Sequence, residues 1–186
     1  MRSIRKNIFY TLLFALAMEF QINVLLQGNI FAMIGILVLY SGIATLTYFT
    51  FPFIMRRFSK QSRGFWVALS IHALAGLFVI EWGFMGNTYF KVAAQGQALM
   101  AIFFQCGMLA WWGGMAALPY ILQDQNGIKL KRGILVYYSI YAIVSTILTI
   151  PFGMIPVILI EPPVFLGFIY FYKKFLHIET LSNSTL

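Results

Sequence analysis

Residues 30–55 read IFAMIGILVLYSGIATLTYFTFPFIM, a stretch without a single Asp, Glu, Lys or Arg. A helix of about 20 apolar residues is long enough to cross the hydrocarbon core of a bilayer. Lipid offers the backbone no hydrogen-bond partner, so a segment that crosses it forms either a helix or a strand of a closed barrel. Barrel strands are about 10 residues long and alternate in polarity, which this stretch does not. The stretch therefore predicts a transmembrane helix.

Similar apolar stretches recur along the whole chain. Hydrophobic residues make up 61% of the 186 positions and charged residues only 10%, whereas typical soluble domains carry about 25% charged residues. We therefore predict an all-α integral membrane protein with one domain, residues 1–176, followed by a short, polar and mobile tail, residues 177–186. The six predicted transmembrane helices are residues 7–26, 30–55, 65–86, 94–122, 133–150 and 155–172.

Positive charge is distributed unevenly among the segments that connect these helices. Twelve of the 13 Lys and Arg residues precede the first helix, follow the second or fourth, or follow the sixth, and only Lys91 lies elsewhere. Six crossings place those twelve on one side, which the positive-inside rule makes the cytoplasm. We predict three helical hairpins with both termini cytoplasmic, in a cell membrane, the bacterial inner or plasma membrane. The net charge of +8 then marks orientation and attracts anionic lipid, and it does not indicate a nucleic-acid partner.

Prolines make the last predicted helix the weakest part of this topology. They stand at Pro151, Pro156, Pro162 and Pro163. Because proline removes a backbone donor, the sixth helix could break after Glu161 or be re-entrant. A five-helix alternative would place Lys173 and Lys174 outside, against the charge rule. We therefore favour six helices.

Acidic residues lie inside the predicted membrane spans. The chain has five Asp and Glu residues, and Glu19, Glu81 and Glu161 fall within hydrophobic stretches that hold no Lys or Arg. Counted from the inner helix ends, they lie roughly 18, 24 and 17 Å into the membrane, given a rise of about 1.5 Å per residue. All three fall in the outer half. Acids in lipid are costly and tend to face the bundle interior or a water-filled cavity.

Other polar and aromatic residues lie at the same level. Asn23 and Gln27 follow Glu19 at helical spacing, and Gln97 and Gln105 share a face of the fourth helix. We predict an outward-facing polar cavity. The aromatic residues on the same helices or loops, whose faces attract cations, are Trp82, Tyr89, Trp111 and Trp112. The predicted binding residues are Glu19, Asn23, Glu81, Gln105, Glu161 and Trp112. The alternatives are a wetted Glu81 beside interfacial Trp82, Glu161 in an extramembrane turn, and glutamines that only hydrogen-bond helices together.

These residues favour one class of function over two others. Carboxylates without a basic partner suit a proton relay or the binding of a cation or cationic solute. We predict a small multi-pass transport or solute-capture protein. One alternative is a non-catalytic accessory or sensor subunit with a membrane protein partner. Another is a membrane-embedded enzyme acting on a lipid or isoprenoid, with a carboxylate as acid or base.

No motif in the chain favours an enzyme or a cofactor site. There is no Gly-Lys-Ser/Thr phosphate loop, no Gly-x-Ser-x-Gly elbow and no His-Glu-x-x-His helix. His72 lies nine residues before Glu81, on the opposite face of a regular helix, and we expect it to hydrogen-bond within the bundle. Cys106 is the only cysteine, and we expect it to be buried as a small apolar residue. We predict no metal and no cofactor, and assign no catalytic residue.

Overall fold

The fold consists of helices joined by short connections. The computed structural model describes residues 2–94, 98–153 and 155–184, with the backbone alone at 156–159, 161, 162 and 183. Within these residues there is no strand. The helices are α1 (Ile4–Glu19), α2 (Ile30–Met55), α3 (Gln61–Ala75), α4 (Tyr89–Ala93), α5 (Ala98–Gln123), α6 (Gln125–Ile128), α7 (Lys131–Phe152) and α8 (Ile155–Ser184). Two π-helical segments, π1 (Phe20–Leu26) and π2 (Gly76–Phe84), continue α1 and α3.

Within the part of the chain that the structure describes, five helical segments are long and apolar enough to cross a membrane. They are Ile4–Leu26, Ile30–Met55, Gln61–Phe84, Ala98–Gln123 and Lys131–Phe152. The chain is by this measure a multi-pass membrane protein. The predicted helix 30–55 coincides with α2, and the other predicted helices differ from the observed ones at their ends.

The last helix, α8, is continuous and longer than its sequence predicts. It runs from Ile155 to Ser184 through Pro156, Pro162 and Pro163, and so passes the predicted end at residue 172. The predicted end of the sixth helix is therefore wrong, because residues 177–184 are helical. The helix continues because its C-terminal half is packed: Phe175 is fully buried between the rings of Phe65 and Tyr120. The free energy gained by burying such a side chain favours continuation of the helix into the polar tail.

Helix α5 is the centre of the bundle. It packs against α1, α2, α3 and α8, and its residues from Gly107 to Leu122 are buried with one exception. A helix that is apolar on every face is typically surrounded by other helices. Small residues permit this close packing. A Cβ atom added at Gly114 would lie 2.8 Å from Cε2 of Phe168 on α8.

Both π-helical segments end in the same way. Gly28 and Gly86 have positive φ angles of 64° and 69°, which favour glycine because other residues are strained there. The asparagine after each glycine donates its backbone N–H to the carbonyl six residues earlier, at 2.7 Å in both turns: Asn29 to Asn23, and Asn87 to Glu81. Single π turns inside α-helices are rare and occur often at functional sites.

The first π segment corrects one sequence prediction. The sequence predicts Gln27 on the face of Glu19 and Asn23, but its side chain is exposed. That prediction assumes regular α-helical spacing. In a π-helix the hydrogen bonds join residues five apart, and Gln27 is the residue at which π1 ends, so the regular spacing does not continue from Asn23 to Gln27.

Candidate functional site

Two glutamates lie at or within the π-helical segments. Glu19 is the last residue of α1, and Glu81 lies within π2. Their exposed fractions are only 6% and 7%. The alternative of a wetted Glu81 beside Trp82 is therefore wrong, and the Trp82 indole instead donates to Gln105 at 2.8 Å. Both carboxylates belong to the interior of the bundle.

The Glu19 carboxylate is held by neutral hydrogen-bond donors. The Asn23 amide donates to Glu19 Oε2 at 2.7 Å and also to its backbone carbonyl at 3.2 Å. The Tyr40 hydroxyl faces the same carboxylate from α2. Trp111 donates its indole N–H to the Tyr40 oxygen at 2.9 Å. Because that bond uses the hydroxyl as an acceptor, its hydrogen is left to point at Glu19.

The Glu81 carboxylate is held in the same manner on both oxygens. Trp112 donates its indole N–H to Oε1 at 3.2 Å, and the Asn87 amide donates to Oε2 at 3.0 Å. The position of Trp112 depends on Gly76, the first residue of π2. A Cβ atom added at Gly76 would lie 2.1 Å from Cγ of the indole. The missing side chain lets the indole lie directly on the π2 backbone.

The two glutamates are joined through a stacked aromatic pair. The rings of Tyr40 and Trp112 lie nearly parallel, at 21°, with centroids 5.6 Å apart. Tyr40 faces Glu19 and Trp112 donates to Glu81, and the two carboxylates lie within electrostatic range of each other. We call the set the Glu19–Glu81 cluster: Glu19, Asn23, Tyr40, Glu81, Asn87, Trp111 and Trp112.

No positive charge balances this cluster. Among the described residues, no Lys or Arg pairs with Glu19 or Glu81, and the donors are amides, indoles and a phenol. Two unprotonated carboxylates in a low-dielectric site repel each other strongly. Their repulsion is relieved when a proton or a cation is taken up. The arrangement is suited to that binding reaction.

The remaining predicted site residues have different positions. Gln105 accepts from Trp82 and donates to the backbone oxygen of Asn87 at 3.2 Å, so it supports the turn that holds Asn87 and does not contact a carboxylate. One face of the Trp112 ring is covered by Tyr40. The side chain of Glu161 and the whole of Gln97 lie outside the described residues.

Three members of the cluster are missing from the predicted binding residues: Tyr40, Trp111 and Asn87. Asn87 carried a usable signal, since it follows Gly86 as Asn29 follows Gly28. Tyr40 carried a weaker one, as a hydroxyl in the middle of the charge-free stretch 30–55. Trp111 is among the four aromatic residues whose faces could attract a cation, but nothing in the sequence indicates that its indole N–H donates to Tyr40.

His72 and Cys106 lie apart from the cluster. His72 contacts the Thr50 hydroxyl and the Ala68 carbonyl, both at 2.7 Å, so it does hydrogen-bond within the bundle. Cys106 is exposed on α5, so the prediction of a buried cysteine is wrong. A small apolar side chain is equally stable against lipid and against another helix. Hydropathy therefore does not distinguish the lipid-facing side of a helix from the side that packs in the bundle. No group of three or more His, Cys, Asp or Glu side chains within the described ranges could hold a metal ion.

A second polar cluster lies at the opposite end of α1. Arg2 pairs with Asp124 at 3.2 Å, and its guanidinium lies 3.4 Å from the centroid of the Tyr120 ring. Gln123 accepts from the backbone of Ser3 and donates to Asn7, and Tyr48 donates to the Arg2 carbonyl. We call this set the Arg2 cluster: Arg2, Ser3, Asn7, Tyr48, Tyr120, Gln123 and Asp124. Its charges are paired and partly exposed.

Comparison with protein-family models, with curated proteins and with solved structures gives no match. The function must therefore be inferred from the side chains themselves.

Proposed function

We propose that this protein is a small multi-pass membrane transport or solute-capture protein that binds a proton or a cation between Glu19 and Glu81. The observation that carries the proposal is two buried carboxylates within electrostatic range of each other, held only by neutral donors. Buried acids inside a membrane typically mark ion pathways or proton relays. A purely structural pair would be expected to include a Lys or Arg.

The proposed topology has six spans, with α8 as the sixth, and both termini in the cytoplasm. Its support is the twelve-to-one distribution of Lys and Arg and the unbroken course of α8. In this orientation the three hairpins open inward. The Glu19–Glu81 cluster then lies in the outer half of the membrane and the Arg2 cluster at the inner surface.

The proposed binding step uses the members of the cluster in distinct roles. Glu19 and Glu81 supply the negative charge. Asn23, Asn87 and Trp112 hold the carboxylate oxygens in place, and preorganised ligands lower the cost of binding. A proton would be shared between the two carboxylates, whereas a metal or organic cation would replace some of the neutral donors.

Ion flux through the reconstituted protein tests this proposal. Full-length protein in liposomes, with a pH-sensitive dye inside and an imposed membrane potential, should dissipate a proton gradient. Glu19→Gln should slow that flux by a factor of about ten or more, the equivalent of losing one strong charged interaction. Sodium and choline gradients extend the same assay to inorganic and organic cations.

A matched control separates this role from general damage. Glu179 is also a buried glutamate, with 6% of its surface exposed, but it lies in the C-terminal part of α8. Glu179→Gln should keep the flux of the native protein. Native protein that carries neither protons nor either cation, or a Glu179 variant as impaired as the Glu19 variant, would refute the proposal. A Glu19 variant that loses only a copurifying partner would support the accessory-subunit alternative.

Cysteine accessibility tests the topology. In a Cys106→Ser background, single cysteines are placed at Lys91, Ser59 and Ser184. A membrane-impermeant thiol reagent should label the first in intact cells and the other two only after permeabilisation. Labelling of the Ser184→Cys variant from outside would favour five spans.

A further inference from the structure

A cavity of about 1060 Å³ opens at the end of α2 that lies next to the Arg2 cluster. It is separate from the Glu19–Glu81 cluster, and none of that cluster's residues lines it. Its wall is formed by the last two turns of α2, the loop that follows, Arg2 and Tyr120. The site is therefore open to a ligand that approaches along α2.

The polar part of this wall is basic. Arg2 and Arg56 line the cavity together with the Ser59 and Tyr48 hydroxyls. Asp124 neutralises part of the Arg2 charge. Arg56 is exposed and has no carboxylate partner among the described residues. The charged side chains that line the cavity are Arg2 and Arg56, and Asp124 pairs with only the first of them, so the lining has a net positive charge. The stretch from residue 56 to 63, which joins α2 to the first turn of α3, holds two further Arg residues, one Lys and no acid.

The other part of the wall is apolar and faces outward from the bundle. Phe49 and Phe53 line the cavity and are 59% and 58% exposed. Together with Arg56 they stand at positions i, i+4 and i+7 of α2, on one face of the helix. A basic group therefore lies at the end of an apolar strip that is exposed on the outside of the bundle, and the Arg57 guanidinium lies 4.7 Å from the centroid of the Phe53 ring.

We propose that this cavity binds an anionic glycerophospholipid, its phosphate at Arg56 and Arg2 and an acyl chain along Phe53 and Phe49. The guanidinium of arginine presents a planar set of donors that fits the oxygens of a phosphate. Basic pockets between transmembrane helices are suited to anionic head groups. The site is independent of the proposed ion site, because it shares no residue with it.

Lipid competition on the purified full-length protein tests the assignment. A fluorescent phosphatidylglycerol, bound in nanodiscs or mixed micelles, should be displaced by phosphatidylglycerol more readily than by phosphatidylcholine. Arg56→Gln should reduce this preference about five-fold, the typical effect of one basic residue at a membrane surface. Arg56→Lys should retain more of the preference than Arg56→Gln, because it keeps the charge.

Two controls distinguish a lipid site from diffuse electrostatic attraction and from a site for free phosphate. Arg63→Gln removes the same charge from the first turn of α3, close to Arg56 in the sequence. The Arg63 guanidinium lies over the Phe58 ring, 5.9 Å from the centroid, without lining the cavity. Equal losses in the Arg56 and Arg63 variants would mean diffuse attraction and would overturn the site. Glycerol phosphate or inorganic phosphate, which lack acyl chains, should not displace the probe at millimolar concentration. Displacement by either would overturn the assignment to a lipid.

Discussion

The Glu19–Glu81 cluster and the Arg2 cluster lie at opposite ends of α1. They differ in whether their charged side chains have an oppositely charged partner. At the Arg2 cluster, a guanidinium and a carboxylate pair at 3.2 Å, and both remain 22–25% exposed. At the Glu19–Glu81 cluster, two carboxylates are almost fully buried and have only neutral partners. Paired surface charges are typical of structural contacts. A charged side chain without an oppositely charged partner costs free energy inside a membrane. Such side chains are therefore expected where they serve a function.

Loss of the glycine beneath Trp112 should have the largest effect on stability. Gly76→Ala forces a methyl group into the indole, and overpacking of this kind typically costs 1–3 kcal/mol, so we expect about 3 kcal/mol here. Thermal and denaturant-induced unfolding in detergent would measure the loss. Gly42→Ala is the matched control, because a Cβ there meets nothing within 4 Å. Equal effects at the two positions would show that Trp112 is not held as described.

Removal of the Trp112 indole N–H should have the next largest effect. Trp112→Phe keeps a ring against Tyr40 but leaves Glu81 Oε1 without its donor, at a cost of about 1–2 kcal/mol. Trp82→Phe is the comparison, since Trp82 donates to the neutral amide of Gln105. Unfolding of both variants should show the smaller loss for Trp82→Phe. The reverse order would mean that the acceptor's charge does not matter at this site.

Loss of the Arg2–Asp124 ion pair should have a smaller effect. Both side chains are partly exposed, and pairs of this kind contribute about 0–1 kcal/mol. Asp124→Asn should therefore lower stability slightly and leave ion flux unchanged. The difference from the native protein should shrink as salt is added, because salt screens exposed charges. A flux defect in this variant would contradict the functional difference between the two clusters.

Glu179 should have an effect of a different kind, one that appears only as the pH rises and is visible as a pH dependence of stability. It lies beyond the predicted span 155–172, where Gln61 donates to one carboxylate oxygen and the other is buried without a hydrogen-bond partner among the described residues. Burial raises the pKa of Glu179 from its ordinary 4.5 to about 7, and the negative charge of Asp124 adds to this effect.

The direction of that dependence follows from the raised pKa of the folded state. The unfolded chain releases the proton above pH 4.5, whereas the folded protein keeps it until about pH 7. This contribution to stability is therefore fully present at low pH and is lost as pH rises from 4.5 through 7. Melting temperatures of the native protein and Glu179→Gln, compared across that range, should converge at low pH. Identical profiles would show that Glu179 does not ionise in the range.

The sequence predicts the apolar helices well and their interior contacts only in part. Residues 30–55 coincide with α2 because a charge-free apolar stretch has few other stable structures in lipid. The sequence predicts both Glu19 and Glu81 in the outer half of the membrane, and in the structure both are buried and joined through the stacked rings of Tyr40 and Trp112. Hydropathy contains no signal for i to i+5 hydrogen bonding, so the sequence does not predict π1 and π2, and it places Gln27 on the wrong face.

Two other errors have the same physical origin. The exposed Cys106 and the helical segment 177–184 both depend on which helix face meets a neighbour. Amino-acid composition does not indicate which face of a helix packs against a neighbouring helix. Tyr40 and Trp111 became site residues only through contacts between α2 and α5, which no pattern within either helix reveals.

A double-mutant comparison of ion flux tests the central claim most directly. If Glu19 and Glu81 form one binding site, Glu19→Gln and Glu81→Gln should each reduce the flux strongly, and the double variant should be no slower than the slower single variant, since groups that act as a unit are not additive. Native flux in either single variant, or losses that multiply in the double variant, would contradict a shared site.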